Sequence, residues 1–253
     1  MIYVKELYAG YGNSDIIKNI SFKVDNGEKL CIIGPNGCGK TTMLRAIAGL
    51  LKYRGEVFLN NKDLSTLKRI DISRSMAFMA QLSSVYFTYS VYDTVALGRY
   101  AVSSKKIFSE INSKDNEIIL SSLKRVELLD IKDKLITELS GGQLQRVFLA
   151  RVFAQEPNTI LLDEPTNHLD IKHQIELVEL LEEWTRERGC TLISVMHDIN
   201  LAMKLADKVI VMNDGEIVCM GKPSEIIQSN ILEDVYKIDI NSFMKKSYSI
   251  WNK

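Results

Sequence analysis

Short apolar runs alternate with amphipathic stretches along most of the chain, the pattern of an α/β sheet with crossover helices. The first part reads differently. Strand-like runs at 3–9, 20–24 and 29–33 follow one another closely, and Asp25-Asn26-Gly27 supplies a hairpin turn between the last two. These predict a small antiparallel element leading into the main sheet. Apolar runs at 76–80, 159–162, 191–196 and 208–212 read as buried strands, and Asn213-Asp214-Gly215 joins the last of them to 216–220. Helices are expected at 41–51 and 171–187, the second with Ile171, Ile175, Val178 and Leu181 on one face. The segment after Gln81 begins aromatic and β-branched and becomes charged and helical, which suggests a helical subdomain inserted over about 82–155. The fold class is therefore α/β, a mostly parallel sheet core with an N-terminal antiparallel β element and an inserted helical subdomain. Residues 237–253 are too short and irregular to assign.

Composition narrows function more than fold. The 253 residues carry 32 Lys plus Arg and 32 Asp plus Glu, a formal net charge of zero. That balance argues against a general nucleic-acid binder and gives little attraction to an anionic lipid surface. No apolar run approaches the roughly 18 residues needed to span a bilayer. The N-terminal stretch has no signal-peptide pattern, so a soluble, cytosolic chain is expected. Cys31, Cys38, Cys190 and Cys219 are scattered without a Cys-x-x-Cys pair, and the histidines are His168, His173 and His197. Neither a disulfide framework nor a zinc site is indicated.

The chemistry is concentrated in a few segments. Gly34-Pro35-Asn36-Gly37-Cys38-Gly39-Lys40-Thr41 fits G-x-x-x-x-G-K-[ST], follows an apolar run and opens a helix through Thr42. Glycines let successive N–H groups turn inward around phosphate oxygens, and the helix start adds partial positive charge. Lys40 is placed to reach the β- and γ-phosphates, and the Thr41 hydroxyl to hold Mg²⁺. A second apolar run ends in Asp163-Glu164. Asp163 suits the Mg²⁺ shell, while Glu164, pointing elsewhere, suits a base that polarises water for attack on the γ-phosphate. Gln81 and His197 each follow another apolar run. If those strands are parallel, the loop, Gln81, the acid pair and His197 share the carboxyl edge where open α/β sheets bind ligands. Gln81 and His197 then read as γ-phosphate and Mg²⁺ sensors.

Leu139-Ser140-Gly141-Gly142-Gln143 leads into a helix with Leu144, Val147, Phe148 and Val152 on its inner face. Ser140 and Gln143 have capping-box spacing, and a capped start with two glycines also attracts phosphate. One chain cannot easily apply two such helix starts to one nucleotide from opposite sides. A second copy would supply the missing half.

Together the phosphate loop, Gln81, LSGGQ, ILLDE, Asn167-His168-Leu169-Asp170 and His197 resemble the ATP-binding cassette (ABC) ATPases over about residues 2–235, leaving 236–253 as a short tail. The resemblance implies a P-loop NTPase (RecA-like) core, ATP and Mg²⁺ as cofactors, Gln81 in the Mg²⁺ shell, and a head-to-tail dimer sandwiching two ATP molecules. Ser140, Gly141, Gly142 and Gln143 of one subunit would contact the γ-phosphate held by Lys40 of the other. Asp170 would link the two sites, and Tyr11 would stack on adenine. Cys38 stands where the family usually has Ser or Ala; beside a helix start and Lys40, its thiol is expected to be acidified and shielded by ATP.

Residues 90–100 (SVYDTVALGRY), Gln155-Glu156-Pro157-Asn158 and Asp170-Ile171-Lys172-His173-Gln174 look like the iron-siderophore, haem and cobalamin importers. That implies integral membrane permease partners, a substrate-binding protein acting through them, and a place at the cytoplasmic face of the membrane. Tyr86, Phe87, Tyr89 and Tyr92 would line a groove for a permease helix. The alternative is a soluble cassette ATPase of repair, translation or cofactor assembly. No sustained heptad run lies between the loop and LSGGQ, and each motif occurs once, against repair and translation forms.

Overall fold

The structure, a computed structural model, describes residues 1–12, 14–81, 88–100, 102, 111–167 and 169–251. Tyr86, Phe87 and His168 lie outside the described residues. In chain order the elements are β1 (Ile2–Tyr11), β2 (Ser14–Val24), β3 (Lys29–Ile33), α1 (Lys40–Ile47), β4 (Tyr53–Leu59), β5 (Lys62–Asp63), α2 (Arg69–Ser75) and β6 (Met76–Met79). There follow α3 (Val91–Tyr100), α4 (Ser113–Arg125), α5 (Gly141–Ala154), β7 (Thr159–Asp163), α6 (Ile171–Arg188) and β8 (Thr191–Val195). The last are α7 (Ile199–Leu205), β9 (Lys208–Asn213), β10 (Glu216–Gly221), α8 (Pro223–Gln228), α9 (Ile231–Tyr236) and α10 (Ile240–Trp251). The chain forms two compact units, residues 1–65 with 193–253, and residues 66–192.

In the first unit an antiparallel sheet runs β2-β1-β4-β5, and a second strand order is β10-β9-β3. β1 buries Ile2, Val4, Leu7 and Ala9, and β2 buries Ile17, Ile20, Phe22 and Val24, the alternation of a sheet with one wet face. Asp25-Asn26-Gly27 does not make the expected hairpin. Glu28 N–H closes a turn on Asp25 O at 3.2 Å, but β2 pairs with β1 while β3 runs parallel to β9, from Leu30 opposite Lys208 to Ile33 opposite Val211. The reason is burial: Leu30, Cys31, Ile32 and Ile33 are fully buried, so β3 needs cover on both faces, as parallel strands do. The hairpin is instead β1–β2, closed by Tyr11 opposite Ser14. β4 and β5 were not anticipated; Asn60 and Asn61, both at positive φ (51° and 63°), turn one into the other. The β9–β10 hairpin forms as expected around Asp214 and Gly215 (φ 46° and 85°). α1 ends at Ile47 rather than at 51, and residues 240–251 are helical.

In the second unit the strand order is β8-β7-β6, with β8 carrying the chain back to the first unit. β6 and β7 are parallel, Met76 opposite Thr159 through Met79 opposite Leu162. The expected faces of two helices shift. On α6, Ile171 and Ile175 are exposed (76% and 41%), and Leu177, Val178, Leu181, Trp184 and Thr185 are buried instead. Only the later turns of α6 have a core to face. On α5, Val147 and Val152 are buried as expected, Leu144 and Phe148 only half so, and Gln145, Leu149 and Phe153 complete the buried set. Phe153 stacks on Trp184 with ring centroids 4.2 Å apart, joining α5 to α6.

Arg99, near the end of α3, is buried and bonded through Nε and Nη1. Its Nε donates to Asp115 Oδ1 at 2.8 Å, and its Nη1 donates to Ala154 O at 2.7 Å and Glu156 Oε2 at 3.1 Å. One guanidinium thus ties α3 to α4 and to the end of α5. Removing it leaves a buried carboxylate without its counter-ion. Arg99→Met should destabilise the protein by about 3 kcal/mol, read as a lowered urea midpoint; a loss within about 0.5 kcal/mol would show that the network carries no net stability.

Candidate functional site

The first unit holds the phosphate loop. Gly34 leaves β3 with φ 151°, and a Cβ there would stand 2.3 Å from Met212 O. Gly39, at φ 104°, caps α1, and its Cβ would stand 2.8 Å from Ile17 Cγ2. Side chains at these two points would collide with backbone or core, so the loop lies tight on β2 and β9. Pro35 is half-buried, Asn36 and Gly37 are exposed, and Cys38, Gly39, Lys40 and Thr42 are buried, with Thr41 between. Lys40 Nζ donates to Gly34 O and Pro35 O, both at 2.8 Å. These carbonyls hold a desolvated ammonium against the loop, the arrangement that makes a charge effective toward an anion.

His197 belongs to the same unit. Met196 N–H donates to Ile32 O at 3.1 Å, so the chain leaves β8 beside the end of β3, and exposed His197 follows next to where the loop begins. Capping of α7 falls to Asp198, whose carboxylate accepts from Leu201 N–H at 3.0 Å. Tyr11 presents a ring 49% exposed, its hydroxyl accepting from Arg45 Nη1 at 3.0 Å.

The second unit brings together Gln81, Asp163 and Glu164. Asp163 ends β7 at 1% exposure, and Glu164 is buried with left-handed backbone, φ 53°. A non-glycine residue there is uncommon and marks a position held by its surroundings. Gln81 Nε2 donates to Glu164 Oε2 at 2.7 Å, and Asn167 Nδ2 donates to the same oxygen. Asn167 stands three residues after Glu164, the spacing that brings its amide back to that carboxylate. Ser140 and Gln143 form the expected capping box, Gln143 N–H to Ser140 Oγ at 3.3 Å and Ser140 N–H to Gln143 Oε1 at 3.1 Å. Gly142 faces Leu169 and His173, so this helix start lies beside the turn that Asp170 caps. Asp170 Oδ1 accepts from His173 N–H at 2.9 Å and contacts Nδ1 at 2.8 Å, and these bonds hold its carboxyl below the usual range. Gln145, also unmarked in the sequence, donates to Pro165 O at 2.6 Å and fixes α5 to the turn after Glu164.

Within the second unit, the Gln81 amide oxygen and the Asp163 carboxylate are hard oxygen donors of the kind Mg²⁺ takes. Among the described residues no group of three or more His, Cys, Asp or Glu could hold a metal by itself. Mg²⁺ sites commonly use only one or two carboxylates, completed by phosphates and water.

Known proteins resemble this chain at the level of family and fold. A family model described as ABC transporter matches residues 17–167. The ferric enterobactin transport ATP-binding protein FepC of Escherichia coli is 36% identical over 233 residues, 92% of this chain and 85% of its own. The iron(3+)-hydroxamate import ATP-binding protein FhuC of Bacillus subtilis is 34% identical over 236 residues, 93% of this chain and 87% of its own. Among solved structures, the dimeric post-hydrolysis state of the ATP-binding cassette MJ0796 bound to ADP and Pi superposes with a TM-score of 0.77. It is 29% identical and covers 88% of this chain and 99% of that one.

One expectation about the loop is reversed. Burial pushes the Cys38 thiol pKa up, and Lys40, whose Nζ is 4.0 Å from Sγ, only partly offsets this. The sequence placed the cation but not the desolvation, and desolvation wins. Cys38 should therefore alkylate with iodoacetamide at pH 8 at least about tenfold more slowly than a free thiol, with or without ATP. Half-buried Cys219 serves as the internal comparison in peptide mapping. Rapid labelling abolished by ATP would restore the acidified thiol.

Proposed function

The chain belongs to the ABC transporter family, and we propose that it is the ATP-hydrolysing subunit of a binding-protein-dependent importer for ferric siderophores. ATP hydrolysis coupled to transport is the activity of its family, and FepC and FhuC are named for ferric enterobactin transport and iron(3+)-hydroxamate import. The observation that carries the catalytic half is Glu164, a buried carboxylate clamped by two amides in a left-handed turn. A carboxylate so oriented can accept a proton from a water as that water attacks phosphorus.

Each residue has a task in this reading. The N–H groups of residues 36–42 and the Lys40 ammonium bind the phosphates, and the Tyr11 ring takes the adenine. Thr41, Gln81 and Asp163 would hold Mg²⁺, which supplies charge neutralisation at the β- and γ-phosphates. Gln81 also orients Glu164, and His197 senses the γ-phosphate. Ser140, Gly141, Gly142 and Gln143 serve the ATP of a second, identical copy, and Asp170 links the two sites. ATP binding closes this head-to-tail dimer, and hydrolysis reopens it and works the permease.

No helix among the described residues is long and apolar enough to cross a membrane. The subunit acts at the cytoplasmic face through the permease, and a substrate-binding protein delivers cargo to that permease. Tyr89, Leu97 and Tyr100, 47%, 40% and 38% exposed, support a docking surface around α3. Tyr92 serves packing instead, its hydroxyl donating to Asn116 Oδ1 of α4 at 2.7 Å.

Two measurements bear on the reading. Glu164→Gln should keep nucleotide binding, lower turnover by about 10²-fold or more and trap an ATP-bound dimer in gel filtration; undiminished turnover would remove Glu164 as the base. Affinity purification from detergent-solubilised membranes should recover a polytopic permease, and soluble partners alone would remove the transport reading.

A further inference from the structure

The turn that carries Glu164 opens in an unfavourable conformation. Glu164 sits at φ 53°, a left-handed setting that a residue with a side chain keeps only where its surroundings enforce it. It also precedes Pro165, whose ring pushes the residue before it toward extended backbone. Backbone closure of the turn is weak. Asn167 N–H reaches Glu164 O at 3.3 Å and Leu169 N–H reaches Thr166 O at 3.4 Å, both longer than an ordinary N–H···O bond. Side chains must supply the rest.

Two do so from neighbouring helices of the same unit. Gln174 Nε2 of α6 donates to Thr166 O at 3.3 Å. Gln145 Nε2, from the second turn of α5, donates to Pro165 O at 2.6 Å. The second bond is the shorter and the more enclosed: Gln145 is 5% exposed and Pro165 is buried. Water has little access to replace it, and a buried carbonyl left bare costs its desolvation. The bond also acts where it has most leverage. The ring fixes φ of Pro165, so holding its carbonyl fixes ψ, the dihedral that remains. The donor itself stands on a firm element, since α5 buries Val147, Leu149 and Phe153 and stacks Phe153 on Trp184.

We propose that Gln145 is a positioning residue for ATP hydrolysis: its buried amide, bonded to the Pro165 carbonyl, holds Glu164 in the left-handed turn that aims its carboxylate. The inference rests on the reading of Glu164 as the base. Gln145 acts through the turn and has no part in proton transfer. Freed at Pro165, the turn shares its time with extended forms of Glu164. Turnover then falls with the fraction that keeps the carboxylate in place. Nucleotide binding, the task of the phosphate loop, does not change.

The test uses the full chain with Gln145→Met, which keeps the length of the side chain and removes the donor. kcat for ATP should fall about ten- to thirtyfold, with the Kd for mant-ATP within about twofold of wild type. In a Glu164→Gln background the same substitution should change the residual turnover by less than about twofold, because the group it positions is already gone. Gln145→Glu is the second variant. At pH 8 its carboxylate cannot donate, and kcat should fall as in Gln145→Met. Toward pH 6 the buried carboxyl gains a proton, donates again, and should recover turnover relative to wild type at the same pH. A merely structural role would lower turnover equally with Glu164 present or replaced; that result, or unchanged kcat in both variants, overturns the inference. If Gln145→Met yields no folded protein, Gln145→Glu decides, and no recovery toward pH 6 overturns it. If Glu164→Gln turns over like wild type, the base reading falls. If Glu164→Gln is impaired and both Gln145 variants match wild type, only the role of Gln145 falls.

Discussion

A loop that recognises phosphate with backbone must crowd N–H groups on one side while admitting no side chain on the other. Here that demand is met by packing from beneath. Gly34 rests on the Met212 carbonyl and Gly39 on Ile17, and the Gly215 amide and carbonyl join the loop to β2. The loop, β2 and the β9–β10 hairpin therefore fix one another, and none has its shape alone. This explains why the first unit is assembled from chain ends more than 120 residues apart, 1–65 and 193–253: the later segment supplies the floor on which the earlier loop stands.

Buried charge follows the same logic. Taking an ion out of water is costly unless its partners are in place. Three buried charged groups have specific partners: Lys40 the Gly34 and Pro35 carbonyls, Arg99 a carboxylate pair and a carbonyl, Glu164 two amides. The zero net charge of the chain is thus compatible with concentrated local fields. In the transport reading proposed above, contact with a permease would then fall to exposed side chains such as Tyr89, Leu97 and Tyr100 rather than to attraction for lipid.

The motifs were legible because their chemistry is local: a loop, an acid pair and a capped helix start each need particular residues within a few positions. Strands buried on both faces were equally plain, since continuous apolar runs such as Leu30 to Ile33 have few other readings. What was not legible depended on neighbours distant in sequence. Asp25-Asn26-Gly27 signals that the chain turns, but not which strand it turns toward. β4 was hidden because Arg54, Gly55 and Glu56 interrupt its apolar pattern at exposed positions. The face of α6 was misplaced because Ile171 and Ile175 keep helical spacing yet have no core opposite them. The Cys38 pKa went the other way because spacing reveals the nearby lysine and conceals the burial.

At the start of α5 a structural cap is compatible with the recognition role proposed for it. The capping box uses the Ser140 hydroxyl and the Gln143 side chain, and the same bonds that satisfy this end also hold its glycines in one geometry. Gly142 then abuts Leu169 and His173, and Gln145 fastens the helix to Pro165, the residue after Glu164. A group that engages this helix start therefore loads a rigid element joined by one buried hydrogen bond to the turn that orients Glu164. In the dimer proposed above, the ligand of one copy and the carboxylate of the other are coupled through packing already present in a single chain.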